Sequence, residues 1–212
     1  MPIRVLVADD HAIVRRGIVF ILTEDPGILV VGEAADGPEL LAVCREIPAD
    51  IVILDLNMPG PSGLTILAQL KAEHPQMAVL VLSIHDEEQY GTRVIRSGAS
   101  GYLAKNAAPD NLVEAVRRLA AGHRYISADL AEAMMKQLET NDQDRHAALS
   151  DREFEVFHGL AAGQTVSEIA ERLSLSVKTV STYRSRVLEK LRVRTNADLA
   201  RYAVAKGLIE SS

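Results

Sequence analysis

The sequence predicts an α/β domain built on a parallel five-stranded sheet, followed by a small all-α domain of four helices. Three observations carry that expectation. Strand-like and helix-like patterns alternate through residues 1–122 in five βα units, the spacing of a parallel sheet with helices on both faces. Two strand runs, Val5-Leu6-Val7 and Val79-Leu80-Val81-Leu82, are apolar without alternation, as strands buried on both sides are. From residue 150 onward only helical spacing remains.

The strand-like runs are Ile3–Ala8, Ile28–Glu33, Ile51–Leu54, Ala78–Ser83 and Gly101–Leu103. Helical patterns fill the gaps at about 12–23, 37–47, 63–74, 87–97 and 109–122. Pro109 and Asp110 open the last of these, since Pro is tolerated in a first helical turn, and Gly122 ends it. The first domain is therefore expected at 1–122. Residues 123–149 read as a linker with one helix, Ser127–Leu138, whose apolar positions are Leu130, Met134, Met135 and Leu138. The polar run Glu139–His146 follows it.

The second domain is expected at 150–212. Ser150, with Glu153 three residues on, is a capping box. Helices are expected at about 151–162, 166–173, 177–191 and 196–207, with Gly163 closing the first. Only Ser174–Ser176 separate the middle pair. A short helix, a tight turn and a longer helix make a helix-turn-helix pattern.

Composition bounds the function. The chain has 212 residues, 48% hydrophobic and 25% charged, so it can bury a core. Aromatic content is 4% with no Trp, which argues against an interface built on aromatic anchors. The single cysteine, Cys44, forms no internal disulfide, which favours a reducing compartment. It sits in an amphipathic pattern with Leu40, Leu41 and Ile47 and reads as a small core hydrophobe. No signal peptide and no membrane-spanning run are seen, so a cytoplasmic protein without a membrane partner is expected. Residues 1–124 carry 11 basic and 16 acidic side chains, whereas residues 178–206 carry 8 basic and 2 acidic. An acidic front and a basic stripe suggest two jobs, the second being contact with a polyanion.

In a parallel sheet the carboxyl ends of the strands share one edge, and ligands bind there. The first strand leads into Asp9 and Asp10, the third into Asp55, the fourth ends in Ser83, and the fifth leads into Lys105. Three carboxylates, a hydroxyl and an ammonium are thus expected in one pocket. The carboxylates suit a hard divalent cation, and adjacent acids repel unless a cation sits between them. The ammonium suits a phosphoryl oxygen, and one carboxylate can accept phosphate as a nucleophile. Such a cation prefers oxygen, so neither His11 nor His85 is read as its ligand. Asn57 and His85, each two residues beyond a site residue, lie near the path of a hydrolytic water.

In the longer helix of the turn motif, Val177, Val180, Val187, Leu188 and Leu191 fall on one side. The other side carries Lys178, Ser181, Thr182, Ser185 and Arg186, which can reach base edges and phosphates. Arg184 falls within the apolar side, where it is expected to snorkel or to meet an acid such as Glu153 or Glu168.

These residues together resemble a known family. Asp9-Asp10-His11, Asp55-Leu56-Asn57-Met58-Pro59-Gly60 and Gly101-Tyr102-Leu103-Ala104-Lys105 are similar to the receiver domain of bacterial two-component response regulators, a flavodoxin-like fold. Leu149-Ser150-Asp151-Arg152-Glu153, Glu168-Ile169-Ala170 and Lys178-Thr179-Val180-Ser181 resemble the LuxR-type helix-turn-helix. The combination resembles the NarL/FixJ class of transcription factors and leans, through Lys178–Arg184, to its GacA/UvrY and BvgA-like branch.

The resemblance implies that Asp55 is the phosphoacceptor. It implies that Asp10, helped by Asp9, holds Mg²⁺ with Asp55 and the backbone carbonyl of Asn57. Lys105 would pair with the phosphoryl group, Ser83 would donate its hydroxyl to it, and Tyr102 would be the aromatic switch. The implied partners are a sensor histidine kinase, double-stranded DNA, a second copy of the chain when phosphorylated, and RNA polymerase. In the family the last helix makes the dimer contact; here it is expected to expose Leu199, Tyr202, Ala203 and Val204. The expected protein is a transcription factor and not an enzyme. An aspartyl-phosphate phosphohydrolase would need a second Asp at Asn57. A regulator that uses its receiver only to dimerise would not need the acids, Ser83 and Lys105 together.

Overall fold

Five parallel strands form one sheet in the order β2-β1-β3-β4-β5, in a computed structural model that describes residues 1–83, 90–139, 145–206 and 208–209. They are β1 (Ile3–Ala8), β2 (Ile28–Ala34), β3 (Ile51–Asp55), β4 (Ala78–Ser83) and β5 (Gly101–Ala104). Between and after them lie α1 (Ala12–Thr23), α2 (Gly37–Glu46), α3 (Gly63–Glu73), α4 (Thr92–Arg96) and α5 (Ala108–Ala120). Residues 84–89, which hold His85 and the start of the helix expected at 87–97, lie outside the described residues.

The alternation of side chains along each strand sorts the core into two layers. Val5, Val7, Ile51, Ile53, Leu80, Leu82 and Leu103 share a cluster with Ile18 and Leu22 of α1 and with Leu112, Val116 and Leu119 of α5. The intervening Leu6, Val52, Leu54, Val79 and Val81 are equally buried, on the opposite face of the sheet. Full burial of each such side chain contributes about 1.5–3 kcal/mol, so both faces are strongly fixed. This is why the strands read as unbroken apolar runs.

The chain divides into two compact units, Met1–Met135 and Lys136–Ser212. The segment after α5 is tied to the first of them. Tyr125 bridges to Gly101 at the edge of β5, its carbonyl accepts from Tyr102 N–H at 2.9 Å, and its N–H donates to Ser100 O at 3.2 Å. A Cβ on Gly101 would stand 2.8 Å from that carbonyl, so only glycine lets the strand edge be covered this closely. α6 (Ala128–Glu139) follows, and its Leu130 is fully buried.

The second unit holds α7 (Asp151–Ala161), α8 (Val166–Arg172), α9 (Val177–Leu191) and α10 (Asn196–Ala205). The capping box of Ser150 and Glu153 is present. Two further boxes, Thr165 with Glu168 and Thr195 with Asp198, start α8 and α10. Gly122 and Gly163 take positive φ just beyond α5 and α7, as expected of helix ends. α8 ends at Arg172, so the turn of the motif runs from Leu173 to Ser176, with Ser174 left-handed at φ 52°. α9 packs on both α7 and α8, and α10 packs on α7.

Three expectations about side chains are corrected. Leu199 and Ala203 are not exposed: both are 0% accessible and belong to the unit's own core. Tyr202 is half-buried, with its ring edge-on to Phe157 and its hydroxyl 3.2 Å from His146 Nδ1. A domain of this size has few apolar side chains, and α10 is needed to close it over α7. Val177 is 51% exposed and so is not part of the apolar side of α9. Arg184 Nε donates to Asn196 Oδ1 at 2.8 Å, an amide rather than one of the acids expected, and links α9 to the start of α10.

Candidate functional site

The sheet reverses its order of connection between β1 and β3, and the carboxyl ends of those two strands open the crevice where ligands bind in such folds. Asp9 and Asp10 follow β1, and Asp55 is the last residue of β3. Lys105 follows β5 directly. Its Nζ donates to Asp9 Oδ2 and to Asp55 Oδ2, each at 2.7 Å. Asp9 and Asp55 are 0% and 1% exposed. The remaining oxygens are partly held by backbone: Asp55 Oδ1 accepts from Asn57 N–H at 3.0 Å, and Asp9 Oδ1 accepts from His11 N–H at 2.8 Å.

The turn after β3 is drawn tight. A Cβ on Gly63 would lie 2.5 Å from Leu56 Cα, so glycine lets α3 start directly against the residue after Asp55. Ser83 is fully buried at the end of β4, where its register partner is Ala104, the neighbour of Lys105. Tyr102 is 1% exposed and paired with Val81. Since Leu103 faces α5, alternation puts Tyr102 on the other face of the sheet.

Electrostatics follow from two buried carboxylates meeting one ammonium, with a third carboxylate beside them. Burial pushes the Asp55 carboxyl above its ordinary range; Lys105 and the Asn57 N–H pull it back, and Asp9 adds to the rise. Burial opposes the charge on Lys105, but the Asp55 and Asp9 carboxylates outweigh it and raise its pKa. Asp10 is the acid Lys105 does not reach in these contacts, and its Oδ1 is buried without a hydrogen bond. The Asn57 Nδ2 amide is likewise buried and unpartnered. Asp9, Asp10, His11 and Asp55 each offer a donor atom within 4.8 Å of the others. Asp10 Oδ1 is met by His11 Nδ1 at 2.8 Å, and three carboxylates against the one ammonium of Lys105 fit a hard divalent cation.

In the second unit, Lys178, Ser181, Thr182, Ser185 and Arg186 are all exposed on α9, while Val180, Val187 and Leu191 are fully buried. Helical spacing thus places the polar set correctly. A shallow depression of about 310 Å³ lies along this surface, lined by Lys178, Thr179, Thr182, Tyr183 and Arg186. Thr179 and Tyr183 were not among the expected contacts. They form the row next to Lys178, Thr182 and Arg186, a signal already present at i, i+4 spacing. The hydroxyls of Thr182 and Ser185 donate to the carbonyls of Lys178 and Ser181 at 3.0 and 3.1 Å, which leaves their oxygens as acceptors toward the outside.

A carboxylate and lysine pocket at the switch point of a flavodoxin-like sheet, followed by a helix-turn-helix unit with a polar outer face, defines a signalling receiver joined to a DNA-reading domain. Residues 5–117 match the response regulator receiver domain, and residues 147–203 match the bacterial regulatory proteins of the luxR family. The chain belongs to the two-component response regulators of the NarL/FixJ class, which are DNA-binding transcription regulators and not enzymes. It is 38% identical over 211 residues to response regulator GacA of Pseudomonas protegens, covering 99% of each chain. It is 39% identical over 208 residues to response regulator UvrY of Escherichia coli, covering 97% of this chain and 95% of that one. Among solved structures, RcsB of Salmonella enterica serovar Typhimurium bound to promoter P1flhDC with the phosphomimetic BeF3⁻ is similar, at TM-score 0.66 and 29% identity. That likeness covers 97% of this chain and 100% of the RcsB chain. No helix among the described residues is long and apolar enough to cross a membrane.

Proposed function

We propose that Asp55 accepts a phosphoryl group from a sensor histidine kinase or a small phosphodonor, and that this modification controls dimerisation and DNA binding. The observation that carries the reading is the Lys105 ammonium held at 2.7 Å from both Asp9 and Asp55 at the switch point of the sheet. An Asp55 oxygen attacks phosphorus in line; the bond from phosphorus to the donor breaks, and the donor leaves with that electron pair. Lys105 turns from the carboxylates toward the new phosphoryl oxygens, and Ser83 donates its hydroxyl to another. Mg²⁺ held by Asp9, Asp10, Asp55 and the Asn57 carbonyl would neutralise charge on the carboxylates and on the phosphoryl oxygens. Tyr102, on the same strand as Lys105's approach, reports the change to the far face of the receiver.

The output reading places Lys178, Ser181, Thr182, Ser185 and Arg186 of α9 in the major groove of double-stranded DNA. One short helix is too little for a specific site, so a homodimer is required, and it forms when Asp55 is phosphorylated. With Leu199 and Ala203 buried, the contact between copies falls to what α10 leaves exposed, such as Arg201 and Val204. RNA polymerase is the partner at a promoter, and the protein works in the cytoplasm. The working divisions are a receiver at 1–122, a linker at 123–149 and a DNA-binding domain at 150–212. The modified state shifts a pre-existing equilibrium, because only differential stabilisation of one arrangement can move it.

The test is labelling by a small phosphodonor. The wild type should be labelled only with Mg²⁺, Asp55→Asn should not be labelled, and Asp10→Asn should be labelled poorly. Labelling that survives a chelator, or survives Asp55→Asn, contradicts the assignment.

A further inference from the structure

We propose that Arg192 and Arg194, in the loop between α9 and α10, grip the phosphate backbone of double-stranded DNA at the end of α9 away from its base-reading turns. This extends the placement of α9 in the major groove and rests on that reading. The loop is singled out by its backbone. Arg192 caps α9 in the left-handed conformation, at φ 57° and ψ 42°. A side chain there crowds its own backbone, and helices commonly close on glycine at that position. This chain does so twice, with Gly122 after α5 and Gly163 after α7. An arginine in the same geometry bears strain that glycine would lift, which points to a task for its guanidinium.

The protein itself gives these two guanidiniums nothing to bind. Of the basic side chains from residue 178 onward, Arg184, Lys190 and Arg201 are held by Asn196, Glu153 and Asp198. Lys178, Arg186, Arg192 and Arg194 are exposed, and among the described residues their side chains make no hydrogen bond or ion pair. Asp198, the acid nearest Arg194 in sequence, is already taken up. Its Oδ2 accepts from the N–H of Arg194 at 3.3 Å and of Thr195 at 3.0 Å, and its Oδ1 meets Arg201.

Position then selects the partner. Lys178, Thr182 and Ser185 stand at i, i+4 and i+7 of α9, and i+14 is Arg192, within about 40° of the same row. α9 has 15 residues, so it is about 22 Å long, against a major groove about 12 Å wide. With its first turns on base edges, its last turn passes over the sugar-phosphate strand that walls the groove. Two unpaired guanidiniums at that end meet phosphate oxygens and release counterions from the duplex.

The test measures binding of the full-length protein between about 50 and 200 mM salt, to a duplex recovered from a genomic footprint and to a shuffled duplex of the same length. Arg192→Ala and Arg194→Ala should each weaken binding to both duplexes by the same factor. Each should make the slope of log affinity against log salt shallower by about 0.9 for every copy of the domain bound. Arg192→Gly should do the same while raising the unfolding temperature of the C-terminal unit, because glycine lifts the left-handed strain. An unchanged slope in either alanine variant, or a loss confined to the footprint duplex, overturns the proposal. So does an Arg192→Gly protein that unfolds later yet binds DNA as the wild type does. Lys178→Ala separates this from the reading beneath it. If Lys178→Ala and both arginine variants all keep the wild-type slope, α9 is not the DNA face and both readings fall. If Lys178→Ala loses affinity while the arginine variants keep theirs, only the role of the loop falls.

Discussion

In the acidic pocket of the N-terminal unit two buried carboxylates share one cation, while in the C-terminal unit a buried carboxylate has a cation to itself. Asp9 and Asp55 share one ammonium, that of Lys105, and burial leaves Asp55 harder to ionise than an ordinary carboxyl. Glu153 is 3% exposed, and burial alone would push its carboxyl up as well. Yet Lys190 Nζ at 2.5 Å and Ser150 N–H at 2.7 Å reverse the effect and hold it below its usual range. The same operation, burying an acid, thus yields opposite results. Carboxylates in excess of cations make a pocket suited to a further positive charge. Matched donors make a joint that holds α7 to α9. A second contrast follows: the groups proposed to work in the first unit, Asp9 and Asp55, are buried, whereas those proposed in the second, Lys178, Thr182 and Arg186, lie on its surface.

Substitutions that separate function from stability are the way to break this contrast. The largest effect is expected at Lys105. Lys105→Ala leaves Asp9 and Asp55 buried without a counter-charge, and removing one partner of a buried ion pair costs about 3–5 kcal/mol. Thermal unfolding in chelator should show that loss, and added Mg²⁺ should restore part of it. Stability unaffected by Lys105→Ala would mean that the pocket is not short of positive charge.

Next comes Leu199→Ala. Because Leu199 is wholly buried in its own unit, the expected loss is about 2–5 kcal/mol in the C-terminal transition. A variant that unfolds as the wild type does, and fails only to dimerise, would return Leu199 to the surface role first expected of it.

On α9 the two properties should come apart. Lys178→Ala should leave stability within about 0.5 kcal/mol, as for surface changes generally. It should weaken binding to every DNA sequence and reduce the salt slope by about 1 if the lysine meets a phosphate. Thr182→Ala and Ser185→Ala should instead alter sequence preference by about 1–3 kcal/mol per lost base contact. Binding-site selection on the paired variant checks this, and an unchanged preference would move the reading face toward Thr179 and Tyr183.

The smallest effect concerns pH. Burial, with Arg172 nearby, holds the half-buried His158 imidazole below the usual histidine range. A folded state that resists protonation is most stable above the unfolded histidine value of about 6.5 and loses that stability as pH falls below it. His158→Gln should flatten the loss between neutral pH and the acid limb of the C-terminal transition.

The strand ends were legible because two-sided burial makes strands unmistakable, and a strand end fixes where the next polar side chain stands. Asp9, Asp10, Asp55, Ser83 and Lys105 could therefore be brought to one edge from sequence. The pairing among them could not: nothing in the spacing shows that Lys105 takes Asp9 and Asp55 while Asp10 meets His11. The surface of α9 was legible from its period, yet Val177 was not, because an apolar residue in a first turn can lie clear of its neighbours. The face of α10 shows the limit most clearly. Periodicity says that Leu199 and Ala203 share an apolar side but not whether α7 or a second copy covers it. Arg184 found Asn196, a neutral amide 12 residues away, for which charge patterning offers no sign. The pairing of Tyr125 with β5 was hidden for a related reason, since one residue has no period.

The central claim is that charge placed on Asp55 governs what α9 does with DNA. The most direct measurement is the affinity of the full-length protein for DNA recovered from a genomic footprint, with and without a small phosphodonor and Mg²⁺, in wild type and Asp55→Asn. Phosphodonor should tighten binding to paired half-sites about one helical turn, roughly 10 bp, or a multiple of it apart in the wild type, and should change nothing in Asp55→Asn. Equal affinity with and without phosphodonor in the wild type, or the same tightening in Asp55→Asn, would contradict the account.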